Sequence, residues 1–142
     1  MKKEIYIPFI LILISSFTFG QNRKLTDEQL NNSTAVRINL ANQNTCEEID
    51  GWIESDFANG IVFLFLQGGV APISYKSDKS FERKYGIYFY DFGCIMASEK
   101  CTIKYNSKVF DYLTEKNGRK WLKKIRKDVI GLKEWKRASR EK

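Results

Sequence analysis

The sequence predicts an α/β domain: a small three- to four-stranded, partly parallel sheet packed with helices, with two helices at the C-terminus. Three observations carry this expectation. Ile61-Val62-Phe63-Leu64-Phe65-Leu66 is a continuous apolar run of strand length, the pattern of a strand covered on both faces. Ile87 to Phe92 is a second run, rich in aromatic residues. Stretches with helical apolar spacing separate and follow these runs. Strand, helix and strand in succession imply right-handed crossovers and a sheet at least partly parallel.

The first twenty residues read as a secretory signal peptide. Met1-Lys2-Lys3 is a short basic start, Ile5 to Ile14 is the apolar stretch, and Thr18 and Gly20 are the small pair that places cleavage before Gln21. The apolar run is about half the roughly 20 residues a spanning helix needs. The expectation is a secreted or periplasmic chain, soluble after cleavage. Residues 21–33, polar and rich in Asn and Gln, read as a flexible leader. Residues 34–135 form a single domain, and 136–142 a charged tail.

Within the domain, Ala35 to Leu40 alternates apolar and polar with period two and predicts a half-buried strand. Thr45 and Glu48 have capping-box spacing, and Ile49, Trp52, Ile53 and Phe57 form the stripe of a helix that Asn59-Gly60 stops. Gln67-Gly68-Gly69 ends the central strand. A shorter helix spans Asp78 to Tyr85, with Phe81 and Tyr85 on one face and Gly86 as its left-handed terminator. Thr102 to Tyr105 reads as a short edge strand. Ser107 then caps a helix carrying Val109, Phe110 and Leu113, which Asn117-Gly118 breaks. A last helix is expected from about Arg119 to Ile130, with Trp121, Leu122, Ile125 and Val129 inward and lysines outward, and Leu132 and Trp135 packing back.

Charge is unevenly placed. Residues 21–115 hold 10 basic and 13 acidic side chains, whereas 116–142 hold 12 basic and 3 acidic, so the net charge of +7 belongs to the end of the chain. There is no histidine. That excludes Ser-His-Asp and Cys-His catalysis, imidazole zinc sites and histidine-ligated haem within one chain. Cysteines at 46, 94 and 101 lack paired CxxC spacing, so neither a thiolate metal site nor any cofactor is expected. In an exported chain they predict one disulfide. Cys94 and Cys101 flank a loop that closes easily and are the expected pair, although sequence alone permits all three pairings.

Phe81-Glu82-Arg83-Lys84-Tyr85, followed by Asp91-Phe92-Gly93-Cys94, Tyr105-Asn106 and Val109 to Leu113, resembles the signature of the FEKKY-domain family of small exported bacterial proteins of uncharacterised function. The resemblance covers most of the chain after residue 20. Arg83 departs from the lysine of the family pattern, a conservative change at an exposed helix site. What it implies is a small exported domain, and it brings no catalytic residues.

In open parallel sheets ligands sit beyond the carboxyl ends of the strands, which gathers Thr45 and Cys46 with Gly68, Gly69 and Asp91 as a candidate pocket. The Gly-Gly pair could admit an anion but lacks the lysine and spacing of a phosphate loop, and plain turn chemistry is the simpler reading. Cys46 at a helix start could be a reactive thiol, but Glu47 and Glu48 oppose its thiolate. Asp91 with Glu82 or Asp111 could pair for acid and base work, although solvated surface carboxylates are the plainer reading. Lys120, Lys123, Lys124 and Lys127 form a candidate basic face for an acidic protein or an anionic membrane surface, with nucleic acid less favoured; the plainer reading is a solvated helix exterior. The function expected first is an exported, noncatalytic binding domain. A thiol-dependent redox or small hydrolytic enzyme is the alternative.

Overall fold

The structure, a computed structural model, describes residues 24–40, 46–94 and 98–141. The signal segment and Thr45 lie outside the described residues. Among those described, the order is α1 (Asp27–Asn31), α2 (Thr34–Leu40), α3 (Ile49–Ala58), β1 (Phe63–Leu66), α4 (Asp78–Tyr85), β2 (Tyr88–Asp91), α5 (Glu99–Asn117), a 3-10 turn (Gly118–Lys123) and α6 (Leu132–Ala138).

The domain is a mixed α/β structure, mostly helical, around a two-stranded parallel sheet. β1 and β2 pair in register from Phe63 with Tyr88 to Leu66 with Asp91, and α4 makes the crossover. The expected three- to four-stranded sheet is therefore not formed. Two strands alone bury too little to stand in water, so both depend on the helices packed against them.

The reason for the smaller sheet lies on the open edge of β1. The main-chain groups of Phe63 and Phe65 on that side meet the side chains of α5 instead of a third strand. Phe63 N–H donates to Tyr105 Oη at 3.3 Å, and Phe65 N–H donates to Asn106 Oδ1 at 3.0 Å. Asn106 Nδ2 in turn donates to the carbonyls of Phe65 and Ile130, each at 2.9 Å. A short antiparallel bridge between Leu66 and Val129 covers the rest.

That arrangement needs Thr102 to Tyr105 to be helical, and they lie inside α5 rather than on an edge strand. The buried face of α5 runs through Cys101, Tyr105, Val109 and Leu113, with Thr102, Asn106 and Phe110 beside them. Both rows have the four-residue spacing of a helix face. Polar Thr102 and Asn106 within the stripe hide it in the sequence.

Ala35 to Leu40 also folds as helix, not strand. The first amide of α2, Thr34 N, is held by the carboxylate of Asp56 in α3, at 3.2 and 3.3 Å. A cap supplied from 22 residues away satisfies one of the orphan donors that a local reading leaves open. Burial of Ala35 and Ile38 follows helical spacing. Residues expected as flexible leader include α1, whose Thr26 and Gln29 make a reciprocal capping box.

Between 119 and 130 the expected inward residues Trp121, Ile125 and Val129 are buried and Leu122 half-buried, but the element is the 3-10 turn followed by a succession of turns with one bridge at Val129. Trp121 stacks on Phe110 at 5.6 Å between ring centres, with Trp135 of α6 closing the cluster. Leaving the helical path after Lys124 is what lets Val129 bridge to Leu66. α3, α4 and the two strands form where expected, and Gly86 takes the left-handed conformation with φ 66°.

The disulfide joins Cys46 to Cys101, with Cα atoms 5.4 Å apart, and Cys94 is free and exposed. The expected Cys94–Cys101 bond does not form because Cys101 is 1 % exposed on the inner face of α5, turned toward Cys46. Its 55-residue loop constrains the unfolded chain by about 4 kcal/mol, against about 2 kcal/mol for the shorter loop.

Two outcomes check this fold. Non-reducing digestion should yield a peptide pair linking Cys46 to Cys101 with Cys94 open to alkylation, and reduction should lower the unfolding free energy by about 4 kcal/mol in denaturant titration. Asn106→Leu, close in volume, strands the Phe65 amide and should cost about 2–3 kcal/mol by the same measurement.

Candidate functional site

The carboxyl ends of the two parallel strands open into a crevice, as the sheet rule requires. Gln67 to Gly69 leave β1, and Phe92 to Cys94 leave β2. Asp91 Oδ1 accepts from Gly93 N at 2.7 Å, which turns the chain, and Gly93 takes φ 66°. Gly68 passes so near this turn that a Cβ there would stand 2.7 Å from Asp91 Oδ1 and closer still to the Gly93 carbonyl. A side chain at Gly68 would therefore push the two strand ends apart.

Two cavities flank this junction. One, of about 570 Å³, lies between the strand ends and the segment 127–132, with Thr102 and Ile103 of α5 behind it. Cys94 lines it, its thiol 3.6 Å from the Gly69 carbonyl. The other, of about 610 Å³, lies against the outer side of the exposed loop after β1 and is lined by Ile73, Tyr75, Asp91, Lys124, Arg126 and Lys127 among others.

Arg126 organises the second cavity. Its side chain is 7 % exposed, and Nε donates to Asp128 Oδ1 at 2.9 Å. Nη1 reaches both the Ile73 carbonyl at 2.8 Å and Asp78 Oδ2 at 2.9 Å. The guanidinium lies over the Tyr75 ring at 4.9 Å, and Asp78 Oδ2 also accepts from Tyr75 N at 2.8 Å. One cation thus ties the loop after β1 to α4 and to the segment after the 3-10 turn. Hydrogen bonding to Arg126, with its positive charge, holds the Asp128 carboxyl below the usual carboxylate range; Asp128 raises Arg126 in return.

The clamp fixes a loop that is itself bare. Every residue from Gln67 to Ser77 is exposed. The exposed large hydrophobic residues of the described chain are Val70 at 96 %, Ile73 at 59 % and Tyr75 at 51 %. All three fall within these few residues.

The expected site residues divide. Gly68, Gly69 and Asp91 do meet at the crevice. Cys46 does not line either cavity; its sulfur is spent in the bond to Cys101, which removes it as a free nucleophile. The carboxylates considered for acid and base work have separate structural tasks: Glu82 accepts from Phe89 N at 2.9 Å and Asp111 from Trp135 Nε1 at 2.8 Å. Lys120, Lys123, Lys124 and Lys127 are all exposed, and none makes an ion pair among the described residues. They do not share one α-helical face. Lys120 and Lys123 lie one turn apart on the 3-10 segment, while Lys124 and Lys127 stand beside the bare loop. Sequence reasoning missed Arg126 and the loop residues, although an apolar stretch between Gln67 and Tyr75 without a single charge was a visible signal.

Among the described residues no group of His, Cys, Asp or Glu is placed to hold a metal ion, and no helix is long and apolar enough to cross a membrane. Comparison with family models, curated proteins and solved structures finds no match to this chain.

The clamp has a pH signature. Because Asp128 titrates below its unfolded value near 3.8, the pair's stabilisation is complete above that value and is lost as pH falls through the lower folded one. Burial raises Asp56, whose protonation acts in the opposite sense and at higher pH. The thermal midpoint of Arg126→Met should therefore lose less than that of the parent chain on acidification below about pH 4. At neutral pH the variant's loop should be cut by chymotrypsin at Tyr75 at least about tenfold faster, if the clamp contributes a kcal/mol or two to loop order.

Proposed function

We propose that this chain is an exported, noncatalytic binding domain that meets an anionic surface through the end of the molecule where the bare loop and Lys124 and Lys127 adjoin. The observation that carries the reading is the coincidence at one place of exposed apolar residues, unpaired lysines and a buried clamp. Apolar groups left in water at a fixed position are costly to a fold and useful to an interface. Unpaired lysines beside them favour an acidic partner and speed its capture.

Export is supported by the basic and apolar start of the chain, and by a disulfide, which persists in oxidising compartments. Membership of the FEKKY-domain family, proposed on the Phe81-Glu82-Arg83-Lys84-Tyr85 segment, agrees with a small exported domain. A noncatalytic role fits the chemistry present: no histidine, Cys46 oxidised, and Asp91, Glu82 and Asp111 each occupied in holding main chain or indole.

The test uses the full chain expressed with its own N-terminal segment in a bacterial host. Its mature form should begin at Gln21 by mass spectrometry. The purified mature chain should sediment with the envelope fraction of that host at about 0.05 M salt and be released at about 0.5 M, where screening is nearly complete. Lys124→Glu with Lys127→Glu should reduce sedimentation at least tenfold, while Lys133→Glu with Lys136→Glu, the same charge change elsewhere, should not. Equal loss from both double variants would reduce the effect to net charge and overturn the assignment of the surface.

A further inference from the structure

We infer that the anionic surface is a lipid bilayer, and that the Val70–Tyr75 loop is the part that enters it. This rests on the reading above and commits it to one partner.

Among its large apolar residues exposure falls along the loop. Val70 is almost fully bare at 96 %, Ile73 and Tyr75 are about half bare, and the next residue is Lys76. Aliphatic, then aromatic with a polar end, then cationic is the order of a bilayer from acyl chains through the interface to the headgroups. A side chain as exposed as Val70 has no protein wall beside it. Acyl chains can surround it from every side, whereas a protein partner would have to supply a matching pocket.

Charge agrees with this order. Residues 67–77 contain no acidic side chain. Lys76, Lys124 and Lys127 are exposed around the loop's base. Arg126 offsets one of the two charges of Asp78 and Asp128, so with Asp91 the four cations Lys76, Lys124, Arg126 and Lys127 face three carboxylates and the loop's base keeps a net charge of +1. Anionic headgroups attract such lysines at short range.

The loop is also ordered before it binds. Arg126 holds the Ile73 carbonyl and underlies Tyr75, and Asp78 holds the Tyr75 amide, so little freedom is lost on insertion. Pro72 lacks an N–H that would have to be desolvated. The remaining open main chain limits insertion to headgroup depth, because unpaired peptide groups are excluded from the hydrocarbon core.

The experiment is partition of the mature chain onto vesicles of phosphatidylcholine with about one third phosphatidylglycerol, compared with pure phosphatidylcholine. Binding is expected on the anionic vesicles only. Val70→Asp should weaken it at least tenfold, and Val70→Leu, one methylene larger, should strengthen it about threefold. Both substitutions sit at a solvent-exposed site, and unchanged thermal midpoints confirm that each variant is folded. Lys124→Glu with Lys127→Glu should also weaken binding at least tenfold. Equal affinity of Val70→Asp and the parent chain would overturn loop insertion. Salt-sensitive sedimentation with the envelope but none with anionic vesicles would overturn the lipid assignment alone and point to an acidic protein. Loss of both would sink the binding reading as well.

Discussion

The open edge of β1 is the constraint from which the rest of the structure follows. A strand between a single neighbour and a helix must still place its outward N–H and C=O groups, because an unpaired buried peptide group costs as much as a lost hydrogen bond. Asn106 does this for Phe65 with both ends of its amide, and the same side chain reaches Ile130. Tyr105, one residue earlier, serves Phe63 and donates its own proton to Asp56 at 3.0 Å. Asp56 then holds the start of α2. A chain of four polar groups thereby joins the sheet, α5, α3 and α2 inside an otherwise apolar core. The side-chain polar atoms of Asn106, Tyr105 and Asp56 are all hydrogen-bonded, the condition under which a buried network favours one fold, and among the described residues Thr34 Oγ1 is the one polar atom beside them buried without a partner.

The same edge arrangement positions the end proposed for binding. With α5 and the 127–132 segment closing the side of β1, the loop after Leu66 has nowhere to go but outward. Arg126, just before that segment, meets the loop at the Ile73 carbonyl and the Tyr75 ring. A buried guanidinium shared between Asp78 and Asp128 adds little stability for its desolvation, but it selects one loop conformation. That is the property an ordered binding loop needs. The disulfide between Cys46 and Cys101 anchors the N-terminal helices to the start of α5 and leaves Cys94 at the crevice rim.

Where local patterning dominates, the sequence was legible. α4 has its Phe81 and Tyr85 face and its left-handed Gly86 within nine residues, and both form as read. β1 could only be a fully covered strand, and it is. The misreadings at Ala35–Leu40 and Thr102–Tyr105 share a cause: in each, a polar side chain makes a long-range contact that the local pattern cannot express. Tyr105 and Asn106 find their partners only when the edge of β1 is there to receive them, while Thr102 Oγ1 donates back to the Ser98 carbonyl at 2.8 Å. The candidate site was half legible. Gly68, Gly69 and Asp91 follow from strand ends, but Arg126 looked like one more exterior cation in a basic stretch.

By itself the sequence determined that the chain has two apolar strands joined through a helix, a cationic end, no imidazole chemistry and one cystine among three thiols. These are properties of composition and of patterns a few residues long. Tertiary structure alone decided how many strands pair, which cysteines join, and which basic residue is buried. Each of those depends on partners 22 to 55 residues apart, such as Thr34 with Asp56 and Cys46 with Cys101. Local propensity carries no information about which distant group will arrive to satisfy a donor, a thiol or a charge.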